Sequence, residues 1–235
     1  MVSEQYRAML GGKSVIRILS EFATKRGEEI GYDNVFDYSL GNPSVPVPEE
    51  FTECMIEMLK NSDPCSLHGY SPSLGIPSVR AAIAASLNER FGMNYGPEHI
   101  FMASGAAGAL AHAYRAVTKP GDEILTFAPY FPEYNPYVNL TGAVLKVVPP
   151  DTESFQINFD AFEEMLGEKV MAVLINTPNN PSGIVYSEET ILRLADILRK
   201  KEQEYGHDIF IISDEPYREI VFAGVKAPYV SRYYA

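Results

Sequence analysis

The sequence predicts an α/β fold: three layers, α/β/α, built on a mostly parallel sheet and preceded by an N-terminal arm. Short apolar runs, Glu123–Phe127, Ala143–Val148, Val170–Ile175 and Ile209–Ser213, have strand length and strand composition. Helical patterns separate several of them, as expected when crossover helices cover both faces of a parallel sheet. The last two runs end in loops dense in amide, carboxylate and phenol groups, at the edge where α/β proteins bind ligands.

Residues 1–45 read as arm and linker, and residues 46–235 as the large domain. In the arm, Val15, Ile18, Leu19 and Phe22 share one helical face, while Lys13, Arg17, Lys25 and Arg26 fall elsewhere. This stripe is expected to pack on the body of the protein or on a second subunit. Ser39–Pro48 is a connector stiffened by proline. A helix follows, with Pro48, Glu49 and Glu50 suited to its first turn and Phe51, Met55, Met58 and Leu59 on its apolar face. The stretch from Asn61 to Gly75 is expected to be loop. The next helix starts near Pro77, runs on Val79, Ile83 and Leu87, and stops at Phe91-Gly92.

From His99 to Ala103 the pattern predicts a strand, and Gly105–Val117 a helix of small residues. The clearest helix lies between the last two strands. Ser187 is its cap, Glu188 and Glu189 its first turn, and Ile191, Leu194, Ala195 and Leu198 its buried stripe. Gly206 ends it.

Composition narrows the function classes. A net charge of −12 argues against a nucleic-acid surface, which needs clustered Lys and Arg. It leaves room for an anion held by backbone N–H groups. Cys54 and Cys65 form no disulfide framework and are expected to be a buried apolar thiol and a loop thiol. His68, His99, His112 and His207 are scattered, so no metal site is expected. No apolar run reaches the roughly 20 residues of a membrane-spanning helix. The N-terminus lacks a signal-peptide core, and a cytoplasmic location is expected.

Four segments carry candidate chemistry. Ser104-Gly-Ala-Ala-Gly108 follows an expected strand and opens a helix, where free N–H groups and the helix dipole attract anions. Tight helix–sheet packing explains small residues there equally well. The segment is not the dinucleotide glycine motif, because Ala103 stands where a glycine is needed. Gly12-Lys13-Ser14 is not a P-loop either, since Arg7 occupies the position of the required first glycine.

Leu174-Ile-Asn-Thr-Pro-Asn-Asn-Pro-Ser-Gly183 presents Asn180 on a proline-stiffened loop, and Ile211-Ile-Ser-Asp-Glu-Pro-Tyr217 presents Asp214 and Tyr217. Asn180 and Tyr217 suit hydrogen bonds to a ring oxygen, and Asp214 suits a ring N–H⁺. A turn and a helix cap are the structural alternatives. Pro129-Tyr-Phe-Pro-Glu-Tyr134 offers an aromatic face for a planar ring, or simply a core aromatic under a loop.

Taken in order, these landmarks resemble the class I/II, aspartate aminotransferase-like family of fold type I pyridoxal 5'-phosphate (PLP) enzymes, over about Leu40 to Tyr217. The resemblance implies the PLP-dependent transferase large domain and PLP as cofactor. It implies a homodimer with shared active sites, and amino-acid and 2-oxo-acid substrates. It places Gly105, Ala106 and Ala107 at the cofactor phosphate, Phe131 against the ring, and Asn180 and Tyr217 at the ring oxygen. Asp214 falls at the pyridine nitrogen and Gly41 in the substrate-side loop. Tyr70 is expected to reach the phosphate of the neighbouring subunit's cofactor. Arm and linker would belong to the family's small domain.

The family's Ser-x-Ser-Lys segment, which carries the Schiff-base lysine, has no counterpart before Ala235, nor do the later arginines for phosphate and substrate. Lys226 follows Asp214 too closely and lacks the serines, so it is expected to be a solvated loop residue. The chain therefore reads as the N-terminal part of a longer aminotransferase, inactive alone. Two alternatives keep the cofactor: a lyase, synthase or decarboxylase on the same fold, or a non-catalytic PLP-binding regulatory domain.

Overall fold

The computed structural model describes Glu4, Arg7, residues 15–41 and residues 45–234. Gly12, Lys13 and Ser14 lie outside the described residues, as do Asn42, Pro43 and Ser44 of the connector. The chain divides into two compact units, residues 1–70 and 71–235.

The first unit is helical. Helix α1 spans Val15–Ile30 and is followed by a 3₁₀ turn, Tyr32–Asn34. Helix α2 spans Glu49–Asn61, with Pro48 at its N-cap and two glutamates facing the positive helix end. Both apolar stripes, Val15-Ile18-Leu19-Phe22 and Phe51-Met55-Met58-Leu59, are exposed in the single chain. The stretch expected to be loop contains a short helix, α3 (Pro64–His68), because the Asp63 side chain accepts from Ser66 N (2.8 Å) and Pro64 fits the first turn. Cys54 and Cys65 are both exposed, so neither is the buried thiol the sequence suggested, and Cys65 sits on α3 rather than in a loop.

The second unit carries the sheet. Helix α4 (Pro77–Phe91) ends where Gly92 adopts a left-handed backbone, φ 66°. Helix α5 (Gly105–Val117) leads to strand β1 (Glu123–Phe127), helix α6 (Tyr134–Asn139) and strand β2 (Val144–Val148). Helix α7 (Phe159–Met165), strand β3 (Val170–Asn176), helix α8 (Glu188–Tyr205) and strand β4 (Phe210–Asp214) complete it. The strands run parallel in the order β2-β1-β3-β4.

Side chains alternate across a strand, so each face of the sheet builds its own core. Leu125, Phe127, Val173 and Ile175 pack with Phe162 of α7 and with Ile191, Leu194 and Leu198 of α8. On the other face, Ile124, Ala172 and Leu174 pack with Leu110 and Tyr114 of α5 and with Tyr134 and Val138 of α6. Helices thus cover both faces, the three layers the apolar runs predicted. Ser187 caps α8 by accepting from Thr190 N (3.0 Å), and Gly206 terminates it at φ 72°.

The expected strand from His99 to Ala103 is not formed. His99 ends a 3₁₀ turn, Pro97–His99, and the carbonyl of Ile100 accepts from Arg80 Nε (2.8 Å) instead of from a neighbouring strand. Helices α6 and α7 were not foreseen. Proline masks the first in sequence, and the second is held by Asn158 accepting from Ala161 N and by burial of Phe159 and Phe162.

Candidate active site

Parallel register brings the strand ends to one edge of the sheet. Asn176, the last residue of β3, stands beside Asp214, the last of β4. Asn176 ties the two loops that follow: its Nδ2 donates to the Asp214 carbonyl (2.8 Å) and its Oδ1 accepts from Asn180 N (2.7 Å). Asn179 makes a second tie. Its Oδ1 accepts from Ser182 N (3.0 Å) and Oγ (2.7 Å), while its Nδ2 donates to Pro129 O (3.3 Å), at the start of the aromatic loop after β1. Gly183 closes this turn at φ 73°, a conformation that favours glycine.

These ties fix the candidate side chains. Asn180 Nδ2 donates to the phenol oxygen of Tyr217 at 3.4 Å, so both polar groups face the same space. Phe131 stands edge-on to Tyr134, centroids 5.6 Å apart, which leaves it half-buried at the loop surface.

Asp214 is the electrostatic centre. Burial raises its pKa above the ordinary carboxylate value, and a hydrogen bond from the Tyr134 hydroxyl to Oδ2 (2.5 Å) partly opposes that rise. Among the described residues, no donor reaches Oδ1. Tyr134, 1% exposed, keeps its proton, because burial first and the bond to Asp214 second push its ionisation far above the usual tyrosine range. The result is a half-desolvated carboxylate with one oxygen satisfied and one available to a cationic N–H.

Tyr114 of α5 lies beneath, wholly buried, and its hydroxyl has no hydrogen-bond partner among the described residues. Burial and then the nearby Asp214 charge raise its ionisation. An unpaired buried hydroxyl costs about 1–3 kcal/mol. Tyr114→Phe is therefore expected to raise the unfolding free energy by about 1 kcal/mol, measured by urea denaturation.

Helix α5 packs against β4 and opens toward solvent. Ser104 supplies no side-chain cap, and Gly105 N bonds back to Ala103 O (3.1 Å). The N–H groups of Ala106 and Ala107 are then left without intrahelical partners by helix geometry. Gly105 has φ +72°, and a Cβ built on it would meet nothing within 4 Å. The backbone is thus open to a ligand on that side. Gly105→Ala is expected to cost about 1–2 kcal/mol of stability from the left-handed backbone and to place a methyl group where an anion would approach. Thermal unfolding with and without pyridoxamine 5'-phosphate separates the two effects.

Residues 33–233 match the family model for aminotransferase class I and II. The chain belongs to that family. It is 48% identical to a solved aminotransferase from Eubacterium rectale, with a TM-score of 0.94, over 100% of this chain and 59% of that one. It is 33% identical over 199 residues to an aspartate aminotransferase of Thermotoga maritima, covering 84% of this chain and 49% of the relative. The solved aspartate aminotransferase of Thermus thermophilus shares 26% identity at a TM-score of 0.84, covering 99% of this chain and 57% of that one. The chain spans about half the length of the curated relatives it matches.

Within this aminotransferase-family unit the structure brings Phe131, Asn180, Asp214 and Tyr217 to the carboxyl edge of the sheet. Gly105, Ala106 and Ala107 are exposed at the start of α5. Gly41 and Tyr70 belong to the first unit, and both are exposed. Lys226 is exposed in the loop after β4. Sequence reasoning missed Asn176, Asn179, Tyr114 and Tyr134 as supports of the site. A polar residue closing an otherwise apolar strand was the available signal for Asn176. Nothing in spacing alone distinguishes Tyr114 from a core tyrosine. No helix among the described residues is long and apolar enough to cross a membrane. No cluster of three or more metal-ligating residues occurs among them.

Proposed function

We propose that this chain forms most of the PLP site of an aminotransferase that moves an amino group between an amino acid and a 2-oxo acid. The observation that carries the reading is the desolvated Asp214 carboxylate, held at Oδ2 by Tyr134, with Asn180 and Tyr217 paired nearby. The donor set fits the cofactor. Unpaired N–H groups at the start of α5 suit a phosphate monoester dianion. Asp214 suits a protonated pyridine nitrogen, Asn180 and Tyr217 a phenolate oxygen, and Phe131 a ring face.

When bound, PLP supplies an electron sink for the carbanion left by removal of a substrate Cα proton. The residues of this chain do the rest of the work at the strand ends. Asp214 would favour the protonated nitrogen, the hydrogen bond from Tyr134 would favour the ionised form of Asp214, and Asn180 and Tyr217 would bind the ring oxygen. Phe131 excludes water from one ring face.

The Schiff-base lysine that the resemblance calls for has no counterpart among the 235 residues, so amino transfer is assigned to a longer protein that includes it. That protein is read as a homodimer, with Tyr70 of each subunit serving the other's cofactor phosphate and Gly41 in the substrate loop. Names of relatives support the amino-acid and 2-oxo-acid substrates, among them an aspartate aminotransferase and a probable aspartate/prephenate aminotransferase. The test is a half-reaction: the whole protein loaded with PLP is mixed with an amino acid, and 2-oxo acid is quantified. One equivalent of 2-oxo acid per site supports the reading. Release of carbon dioxide or of an alkene product instead would favour a decarboxylase or lyase on the same fold.

A further inference from the structure

We propose that Arg218 is a positioning residue that holds Tyr217 in register for the cofactor ring, an inference that rests on the site reading above. Tyr217 sits in the double turn that follows Asp214, its first half closed by Arg218 N donating to Glu215 O (3.3 Å) and its second by Ile220 N donating to Tyr217 O (2.9 Å). Tyr217 itself is 37% exposed, and among the described residues the one hydrogen bond to its hydroxyl is from Asn180. Its ring is thus partly exposed, and its backbone is set by the double turn.

Arg218 is the anchor of that turn. Its side chain is nine-tenths buried although its neighbours Tyr217 and Glu219 are exposed, unusual for an arginine. Its Nε donates to Glu215 Oε2 (3.0 Å), and Glu215 Oε1 also accepts from Ser213 Oγ (2.8 Å), so the network spans both flanks of Asp214. Its Nη1 donates to the carbonyls of Ala227 (3.3 Å) and Pro228 (3.2 Å). The guanidinium also lies 5.1 Å from the Phe91 ring and 4.8 Å from the Tyr229 ring, which stack on one another at 4.3 Å. One planar side chain therefore joins the strand-end turn, the end of α4 and the segment after residue 226. A lysine would keep the charge and lose both the fork and the flat stacking surface.

The test pairs a ligand-free readout with a double-mutant cycle. In the ligand-free protein carrying ring-labelled tyrosine, Arg218→Lys is expected to shift and broaden the Tyr217 ring resonances while those of Tyr134 stay in place. In the cycle, affinity for pyridoxamine 5'-phosphate is measured for the parent, Tyr217→Phe, Arg218→Lys and the double variant. Arg218→Lys is expected to weaken binding about tenfold in the parent and about twofold or less once Tyr217 is phenylalanine. Unmoved Tyr217 resonances, or an equal loss in both backgrounds, would overturn the proposal. Should the parent fail to bind the probe, the site reading falls, and the resonance shift alone decides whether Arg218 positions Tyr217. Glu215→Gln, which preserves shape, gives the same two readouts if Arg218→Lys does not fold.

Discussion

Replacing Asp214 with asparagine is expected to make the ligand-free protein more stable and its hold on the cofactor far weaker. The sign follows from the raised pKa. Asp214 binds its proton more tightly folded than unfolded, so its ionisation penalises the folded state increasingly as pH rises from the unfolded toward the folded pKa. Above the folded pKa the penalty is complete, and asparagine removes it while still accepting the Tyr134 hydrogen bond. Because the group is partly exposed, the gain is modest, about 0.5–2 kcal/mol at neutral pH. It should vanish in acid, below the ordinary aspartate pKa. Cofactor binding moves the other way. Removing one partner of a desolvated charge pair costs about 2–5 kcal/mol, roughly a 30- to 5,000-fold loss. Urea denaturation at pH 7.5 and pH 3.5, beside a ligand titration, reads both effects. A variant that lost stability and affinity together would mark Asp214 as a structural group.

Tyr134→Phe is expected to be the second largest effect. Its hydroxyl supplies the hydrogen bond that offsets the desolvation of Asp214. Hydrogen bonds to charged groups contribute about 1.5–3 kcal/mol, so affinity for pyridoxamine 5'-phosphate should fall about 10- to 100-fold near neutral pH. The pKa of Asp214 should rise further, and the rising limb of affinity against pH should move to higher pH. Carbon-13 chemical shifts of the Asp214 carboxyl through a pH titration measure this directly. An unchanged titration in Tyr134→Phe would remove Tyr134 from the site.

The sheet was legible because its strands are short, apolar and separated by helical periods. Val170–Ile175 and the stripe Ile191-Leu194-Ala195-Leu198 needed no tertiary information. The segment from His99 to Ala103 misled for a physical reason: a strand needs a partner, and here the Ile100 carbonyl meets Arg80. Asn180, Asp214 and Tyr217 stood out as candidates because they follow apolar strands in the order of the family's landmarks, with a turn and a helix cap as the structural alternatives. Their supports were hidden. Tyr134 lies 80 residues from Asp214 along the chain, and its bond exists only once α6 packs on the sheet. Arg218 looked like any loop arginine until the turn, the stacked Phe91–Tyr229 pair and the carbonyls of Ala227 and Pro228 were assembled around it.

The most direct measurement of the central claim is equilibrium titration of the 235-residue protein with pyridoxamine 5'-phosphate, which needs no lysine to bind. It is run side by side with Asp214→Asn. Saturable binding at one site per chain, weakened at least about 30-fold by the substitution, is the expected result. Equal affinity in both proteins, or no saturable binding in either, would contradict a cofactor site at the ends of β3 and β4.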